Sequence, residues 1–414
     1  MKVRFQPRSA DLQHLRVGPV GPHIQTFATL VSQQGYCDVI GWLKLRLVAR
    51  FSRWLQKHHF PLRDLNEERV QAFLKARSTG VVRRTCVGHR ATMILLLRHL
   101  RQIDVVPKPP PSLTGSDIDL TALDYEGFLL AERSLMPSST ARYVEAARRF
   151  LAWRFPSGKV YLKKLRTQDV TEFILHDTSN RGRHAVQLAA AALRSFFSFL
   201  FQKERIATNL AAAVPSVPHR RLADLPKYLN AREVERVLGS CDRRRQIGKR
   251  DYAIFLLLAR LGLRAGEVVH LTLDDIDWRA GELLVRGKGA RVDRLPLLRD
   301  VGEALADYLK RGRPACSSRS IFIQCKAPFE GFRNPGCVSN LVQAAMIRVG
   351  LSPRHRGAHV LRHSLATGML RNGATLAQIG QVLRHQLPAT TEIYAKVDFN
   401  ALRTLALPWP GGAS

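Results

Sequence analysis

The stretch LRHQLPATTEIYAKV, Leu383 to Val397, carries Tyr394 downstream of His385. A phenol is a useful nucleophile toward phosphorus, because its oxygen also leaves readily enough for the covalent bond to be reversed. Alone, Tyr394 is one of eight tyrosines and reads as a packing residue. To act on a phosphodiester it needs positive charge around a phosphate that gains charge in its transition state, and a proton donor for the departing oxygen. Residues far upstream have those types. LGLRAGEVVHL places Arg264 after an apolar run, with Glu267 three positions on as a helical partner. HVLRHSLATGML sets His359, Arg362 and His363 on one side of a helix. Two arginines grip the non-bridging oxygens of a phosphate with paired N–H donors, which a lysine cannot match. RGKGAR offers Lys288 at a hairpin tip, where a flexible stem reaches a leaving oxygen.

Each residue also has a plainer reading. Arg264 with Glu267 can be a structural ion pair, and Lys288 a solvated turn residue. His359 and His363 have helical metal-ligand spacing, but the glutamate of H-E-x-x-H is missing. No D-x-D pair or acidic cluster suggests magnesium, and no G-x-x-x-x-G-K-[ST] loop suggests a nucleotide triphosphate. The residues therefore favour phosphoryl transfer with neither metal nor ATP, and no cofactor is expected.

The elements that must position these groups follow from composition and periodicity. With 414 residues, 45% of them apolar, the chain is long enough for two or three domains. Its 65 Lys+Arg against 33 Asp+Glu give a formal charge of +32. Such a charge repels itself unless a polyanion neutralises it, and nucleic acid is the commonest one. Six cysteines with no C-x-x-C pair read as reduced thiols. The amino terminus lacks the apolar core of a signal peptide, and the strongly apolar run Tyr252–Ala259 is far short of a membrane span. The cytoplasm, with no membrane partner, is the expected location.

Two proline-bearing segments, Val105–Asp117 and Val214–Pro226, break the chain into three parts. The first two resemble each other. RFSRW at Arg50 matches RFLAW at Arg149, and LRDLNEERVQAFL from Leu62 matches LKKLRTQDVTEFI from Leu162. Leu62, Leu65, Val70 and Phe73 fall on Leu162, Leu165, Val170 and Phe173, and Met93, Leu96, Leu97 and Leu100 on Leu193, Phe196, Phe197 and Leu200. Apolar spacing of three and four residues predicts a bundle of about four helices in each, related by duplication. In the third part Asn230 is placed to cap a helix through Leu238, RDYAIFLLLARLGL reads as a buried helix, and DIDWRAGELLVRGKGARVDRLPL as a small antiparallel sheet. Thr375 and Gln378 have capping-box spacing, with Leu376, Ile379 and Leu383 on one apolar face. The predicted fold is mainly α with a small antiparallel β-sheet in a carboxy-terminal domain. Its boundaries are a helical domain 1–108, a second helical domain 116–210, a catalytic domain 222–400 and a tail 401–414.

Taken in order, Arg264, Lys288, the H-x-L-R-H stretch His359–His363, His385 and Tyr394 resemble the tyrosine recombinase, or phage integrase, family. The resemblance covers roughly residues 226–399 and, more weakly, 120–202 as the family's helical core-binding domain. It implies that Arg264 and Arg362 clamp the phosphate and that Lys288 is the general acid. It makes His359 and His385 phosphate-contacting and proton-handling residues, and Tyr394 the nucleophile of a 3′-phosphotyrosyl link. It further implies a double-stranded DNA recombination site as partner, a homodimer on each site and a tetramer in the synapse, serving integration, excision or transposition of a mobile element. The competing readings are a type IB topoisomerase and a non-catalytic DNA-binding relative. Two features depart from the family. Arg384 stands before the second histidine where glycine is usual, and it reads as a helical end that adds a phosphate contact rather than a strained positive-φ position. The first part is helical where relatives with an arm-binding domain carry a small sheet, so it is expected to give a further DNA contact or a subunit interface. Residues after Tyr394, VDFNALRTLAL, read as a short exchanged helix.

Overall fold

The structure, a computed structural model, describes residues 4–78, 88–108, 116–178, 182–216, 226–287, 291–351 and 357–397. The fold is mainly helical, with one small antiparallel sheet. By their contacts the residues group into two compact units, one of 1–107 with 224–414 and one of 108–223.

The first helical part contains α1 (Ile24–Gln33), α2 (Asp38–Lys57), α3 (Glu67–Ser78) and α4 (His89–Gln102). Its core gathers the predicted Leu65, Val70, Phe73, Met93, Leu96, Leu97 and Leu100 around Val48 and Phe51. The second contains α5 (Asp117–Ala131), α6 (Pro137–Arg154), α7 (Thr167–Thr178) and α8 (Arg183–Gln202). Its core holds Val170, Phe173, Leu193, Phe196, Phe197 and Leu200. Helix α8 is long and apolar enough by composition to cross a membrane, but its apolar residues line this core.

The parallels between the two bundles reach the backbone. A single 3₁₀ turn precedes the third helix in each, Leu62–Asp64 and Leu162–Lys164. Trp54 lies 5.7 Å from Phe73 and Trp153 lies 5.5 Å from Phe173, both at an interplanar angle of 57°. The last helix ends the same way in both: Asp104 (φ +53°) and Glu204 (φ +55°) occupy the left-handed position, and the next amide bonds back to Leu100 and Leu200 respectively. This double reverse bond is the Schellman cap, normally a glycine site.

In the third part α9 (Ala231–Gly239) starts at Asn230, whose side chain accepts from the Glu233 amide while the Glu233 carboxylate accepts from the Asn230 amide. Helix α10 (Gln246–Arg260) buries an unbroken run from Ala253 to Ala259 and forms the centre of the largest core. Each buried leucine there contributes roughly 1.5–3 kcal/mol. Then come α11 (Ala265–His270) and strands β1 (Ile276–Asp277), β2 (Glu282–Arg286) and β3 (Val292–Pro296), with Leu283 opposite both Ile276 and Leu295. Helices α12 (Arg299–Arg311), α13 (Pro335–Arg348), α14 (His359–Arg371) and α15 (Leu376–Val382) follow. The described chain closes with two 3₁₀ turns, Pro388–Thr390 and Glu392–Val397.

The first bundle touches this third part directly. The Phe329 amide donates to the Gln34 carbonyl at 3.0 Å, and Arg4 donates to the Ala315 carbonyl. Gly35 (φ +79°) lies so close that a Cβ would stand 2.2 Å from the Phe329 ring, so only glycine fits there.

Candidate active site

Arg264 is the residue before the first turn of α11, and Glu267 sits in that turn. The Glu267 carboxylate accepts from the Arg264 amide at 2.8 Å (Oε2) and from Arg264 Nη1 at 2.7 Å (Oε1). Glu267 is buried while the Arg264 side chain is 39% exposed, so the pair anchors a guanidinium that still faces outward. Burial pushes the Glu267 carboxyl up, but the Arg264 amide and the guanidiniums of Arg384 and Arg264 outweigh it and hold the group below the usual range.

Arg362 comes from the first turn of α14 and is buried at 3% exposure. It donates to the carbonyls of Gly262 and Leu383, lacing the segment before Arg264 to the end of α15. Gly262 (φ +60°) permits this approach, since a Cβ there would meet the Leu383 side chain at 2.8 Å. Burial first, then the charges of Arg264 and Arg384, lowers the Arg362 pKa to about 10 against the opposing pull of Glu267, so three guanidiniums gather here around one carboxylate. An anion is the ligand such a cluster favours.

Tyr394 is 1% exposed and packs with Ala366, Ile379 and Leu383 in a small core of its own. Its hydroxyl lies 2.8 Å from His363 Nδ1. Burial pushes the phenol up to about 12, opposed by Arg362 and Arg264. The His363 imidazole is driven down to about 4 by burial, with His359 and Arg362 adding to it. At neutral pH the pair is therefore phenol and neutral imidazole, with a ring nitrogen placed to take the phenolic proton. His385 is likewise lowered to about 4, by burial first and then by Arg362 and Arg264, and its Nδ1 lies 2.8 Å from Thr391 Oγ1. Thr391 opens the turn that carries Tyr394, so His385 braces that turn. His359 begins α14 on its exposed side, its ring 6.3 Å from that of His363.

Arg264, Arg362, His363, His385 and Tyr394 thus converge at the joint of α11, α14 and α15, with His359 at its rim. Lys288 lies outside the described residues, as does the segment after Val397. Strand β3 does reach the site, because its Asp293 stands 3.8 Å from the Arg384 guanidinium. His363 was visible in H-x-L-R-H but had no role until its distance to Tyr394 was known.

Arg384 corrects the sequence reading. It is not a phosphate-facing helical end: its φ is +55° and the residue is only 7% exposed. Its Nη2 donates to Glu267 Oε2 at 2.7 Å. The left-handed conformation costs a non-glycine residue about 1–2 kcal/mol.

Comparisons with known proteins agree with this arrangement. Residues 227–401 match the model of the Phage integrase family. A Sinorhizobium fredii protein, y4rA, assigned as an integrase or recombinase, is 42% identical over 397 residues, covering 96% of each chain. The tyrosine recombinase XerD of Mycobacterium tuberculosis is 32% identical over 312 residues, covering 70% of this chain and 97% of its own. Among solved structures, XerH recombinase in a post-cleavage complex with a palindromic difH substrate is similar in fold, with a TM-score of 0.54 and 20% identity over 84% of this chain and 99% of that one. A lambda integrase dimer bound to a core site has a TM-score of 0.51 and 18% identity over 76% of this chain and 88% of that one. With two arginines, a tyrosine and their histidines brought together as the sequence order suggested, and relatives matching almost end to end, the chain belongs to the phage integrase, or tyrosine recombinase, family.

Proposed function

We propose that the chain is a site-specific recombinase that cleaves and rejoins duplex DNA through a 3′-phosphotyrosyl link on Tyr394. The observation that carries the reading is the Tyr394 hydroxyl on the neutral His363 nitrogen, in the field of Arg362 and Arg264. Arg264 and Arg362 hold the non-bridging oxygens of the scissile phosphate as its negative charge grows. The Tyr394 oxygen attacks phosphorus while its proton passes to His363, and the 5′-oxygen leaves and takes a proton from Lys288. His359 and His385 contact the phosphate and handle protons at its edge. A 5′-hydroxyl from a partner strand then attacks the phosphotyrosine and restores the diester. One phosphoester replaces another at each step, so the reaction needs neither ATP nor metal.

Because Tyr394 is covered, its two short 3₁₀ turns must shift to bring the hydroxyl to a phosphate. The contact that has to release them is Thr391–His385. A dimer on each site and a tetramer in the synapse, acting in the cytoplasm on the ends of a mobile element, complete the proposal. The first helical bundle supplies an additional DNA contact. Its α2 presents Arg46, Arg50, Arg53 and Lys57 at helical spacing along one exposed ridge, and none of them meets a carboxylate among the described residues.

The direct test is a nicked suicide duplex bearing the cognate site, incubated with the protein in chelator. Wild type is expected to form a covalent protein–DNA species, and Tyr394→Phe none. No adduct from wild type on a verified site would leave an accessory DNA-binding protein. Relaxation of supercoiled DNA without strand exchange would mark a topoisomerase.

The histidines add a pH signature. His363 and His385 titrate at about 4 in the fold, against about 6.5 unfolded. Between those values the unfolded chain binds protons that the fold does not. Stability is therefore fully present above pH 6.5 and falls as the pH drops toward 4. The thermal midpoint should fall more between pH 7 and 5 for wild type than for His363→Gln. Equal drops would contradict the assignment.

A further inference from the structure

Arg384 is the residue in this site that local geometry disfavours. Helix α15 ends in a Schellman cap: the Arg384 amide bonds to Gln381 at 3.0 Å and the His385 amide to Gly380 at 2.9 Å. The position between them is left-handed, where glycine is the unstrained choice. An arginine held there has to be explained by what its side chain does.

The side chain is buried and spans three segments. Nη2 meets Glu267 Oε2 at 2.7 Å, Nη1 lies 3.4 Å from the carbonyls of Leu261 and Val382, and Nε stands 3.8 Å from Asp293 Oδ2. Glu267 is consequently shared between two guanidiniums. Arg264 commits only Nη1 to it, leaving its remaining N–H groups unpartnered among the described residues. Were Arg384 absent, the buried carboxylate would keep Arg264 as its one ion-pair partner among the described residues, and an arginine faces a lone carboxylate best with two parallel N–H bonds. That pairing would turn Arg264 away from a phosphate. At the other end of the guanidinium, Nε is buried without a hydrogen-bond partner and faces Asp293 on β3. Asp293 itself also accepts from Arg291 at 3.0 Å, so a chain of charges at the start of β3 ends on Arg384.

We propose that Arg384 is a positioning residue for strand cleavage. By holding Glu267 and Asp293 together it frees Arg264 to clamp the phosphate, and it sets the β2–β3 hairpin against the turn leading to His385 and Tyr394. This rests on the strand-cleaving reading of the site. Arg384 touches no reacting atom in this scheme.

The test uses the full chain and a duplex that the protein selects from a random-sequence pool, nicked at successive positions across the selected site. Arg384→Gly relieves the backbone and removes the guanidinium, and Arg384→Lys keeps the charge without the paired donors. Affinity is measured by mobility shift and chemistry by single-turnover adduct formation. Arg384→Gly is expected to bind within about twofold of wild type and to cleave roughly 10- to 100-fold more slowly, the scale of a clamp displaced by about an ångström. Millimolar guanidinium should recover part of that rate in Arg384→Gly and leave wild type unchanged. Arg384→Lys should fall between the two, and it carries the comparison if the glycine variant does not fold. Wild-type cleavage by Arg384→Gly would overturn the proposal, as would equal losses of affinity and rate with no response to guanidinium. A wild-type protein that forms no adduct would overturn the strand-cleaving reading itself, and this inference with it.

Discussion

The two helical bundles are built on one plan but use arginine differently. In the second, three of the four arginines of α6 are spent inside the fold: Arg148 on Asp119, Arg149 on Asp177 at 3.4 Å and Arg154 on Asp169 at 2.7 Å. In the first, the corresponding helix α2 buries Lys44 on Thr92 at 3.0 Å but leaves Arg46, Arg50, Arg53 and Lys57 on the surface. Aligned through Phe51 with Phe150 and Trp54 with Trp153, Arg46 falls on Glu145, Arg50 on Arg149, Arg53 on Ala152 and Lys57 on Pro156. The apolar half of the plan is shared and the charged half has diverged. Packing tolerates little change in volume or register, whereas a solvated face is free to take a new partner.

The largest effects should come from the shared half. Phe73→Ala and Phe173→Ala remove equivalent rings from equivalent cores, and each should cost about 3–5 kcal/mol in denaturant unfolding of its own bundle. Costs that differ severalfold would break the equivalence. The divergent half comes next. Arg46→Glu, Arg50→Glu and Arg53→Glu combined should weaken DNA binding about tenfold or more, and should flatten the logarithmic salt dependence by roughly 0.9 for each DNA phosphate no longer neutralised. Arg149→Glu should instead destabilise the second bundle, by setting a carboxylate against Asp177. Unchanged affinity and slope for the triple variant, with loss of self-association, would make the ridge a subunit interface. The smallest effect lies at the caps. Asp104→Gly and Glu204→Gly should each raise stability by up to about 1 kcal/mol, since both relieve a left-handed residue whose side chain does little else. Arg384→Gly should lack that gain, because the same relief is set against the loss of Glu267's partner.

How far the sequence could be read follows from the range of the interactions involved. The apolar register of the two bundles, the Asn230 cap, the Thr375 capping box and the hairpin between β2 and β3 are local patterns, and each was legible. The pairing of Arg264 with Glu267 is also local, three residues along one helix start. The remainder of the site depends on elements distant in the chain. Nothing near His363 indicates that its ring meets Tyr394, and nothing near Arg384 indicates Glu267 across the fold. A single arginine before His385 supports a solvent-facing phosphate contact as readily as a buried brace, and only its left-handed backbone and its partners separate the two. Residues after Val397 lie outside the described structure, so the exchanged terminal helix remains an expectation from the sequence.

The central claim is that Tyr394 forms the covalent bond to DNA. The most direct measurement is to trap the adduct on a nicked duplex in chelator, digest protein and DNA, and identify by mass spectrometry the peptide that carries the nucleotide. The account predicts a 3′-linked nucleotide on Tyr394 itself. A nucleotide on any other residue, or no linked peptide from a reaction that cleaves its site, would contradict it.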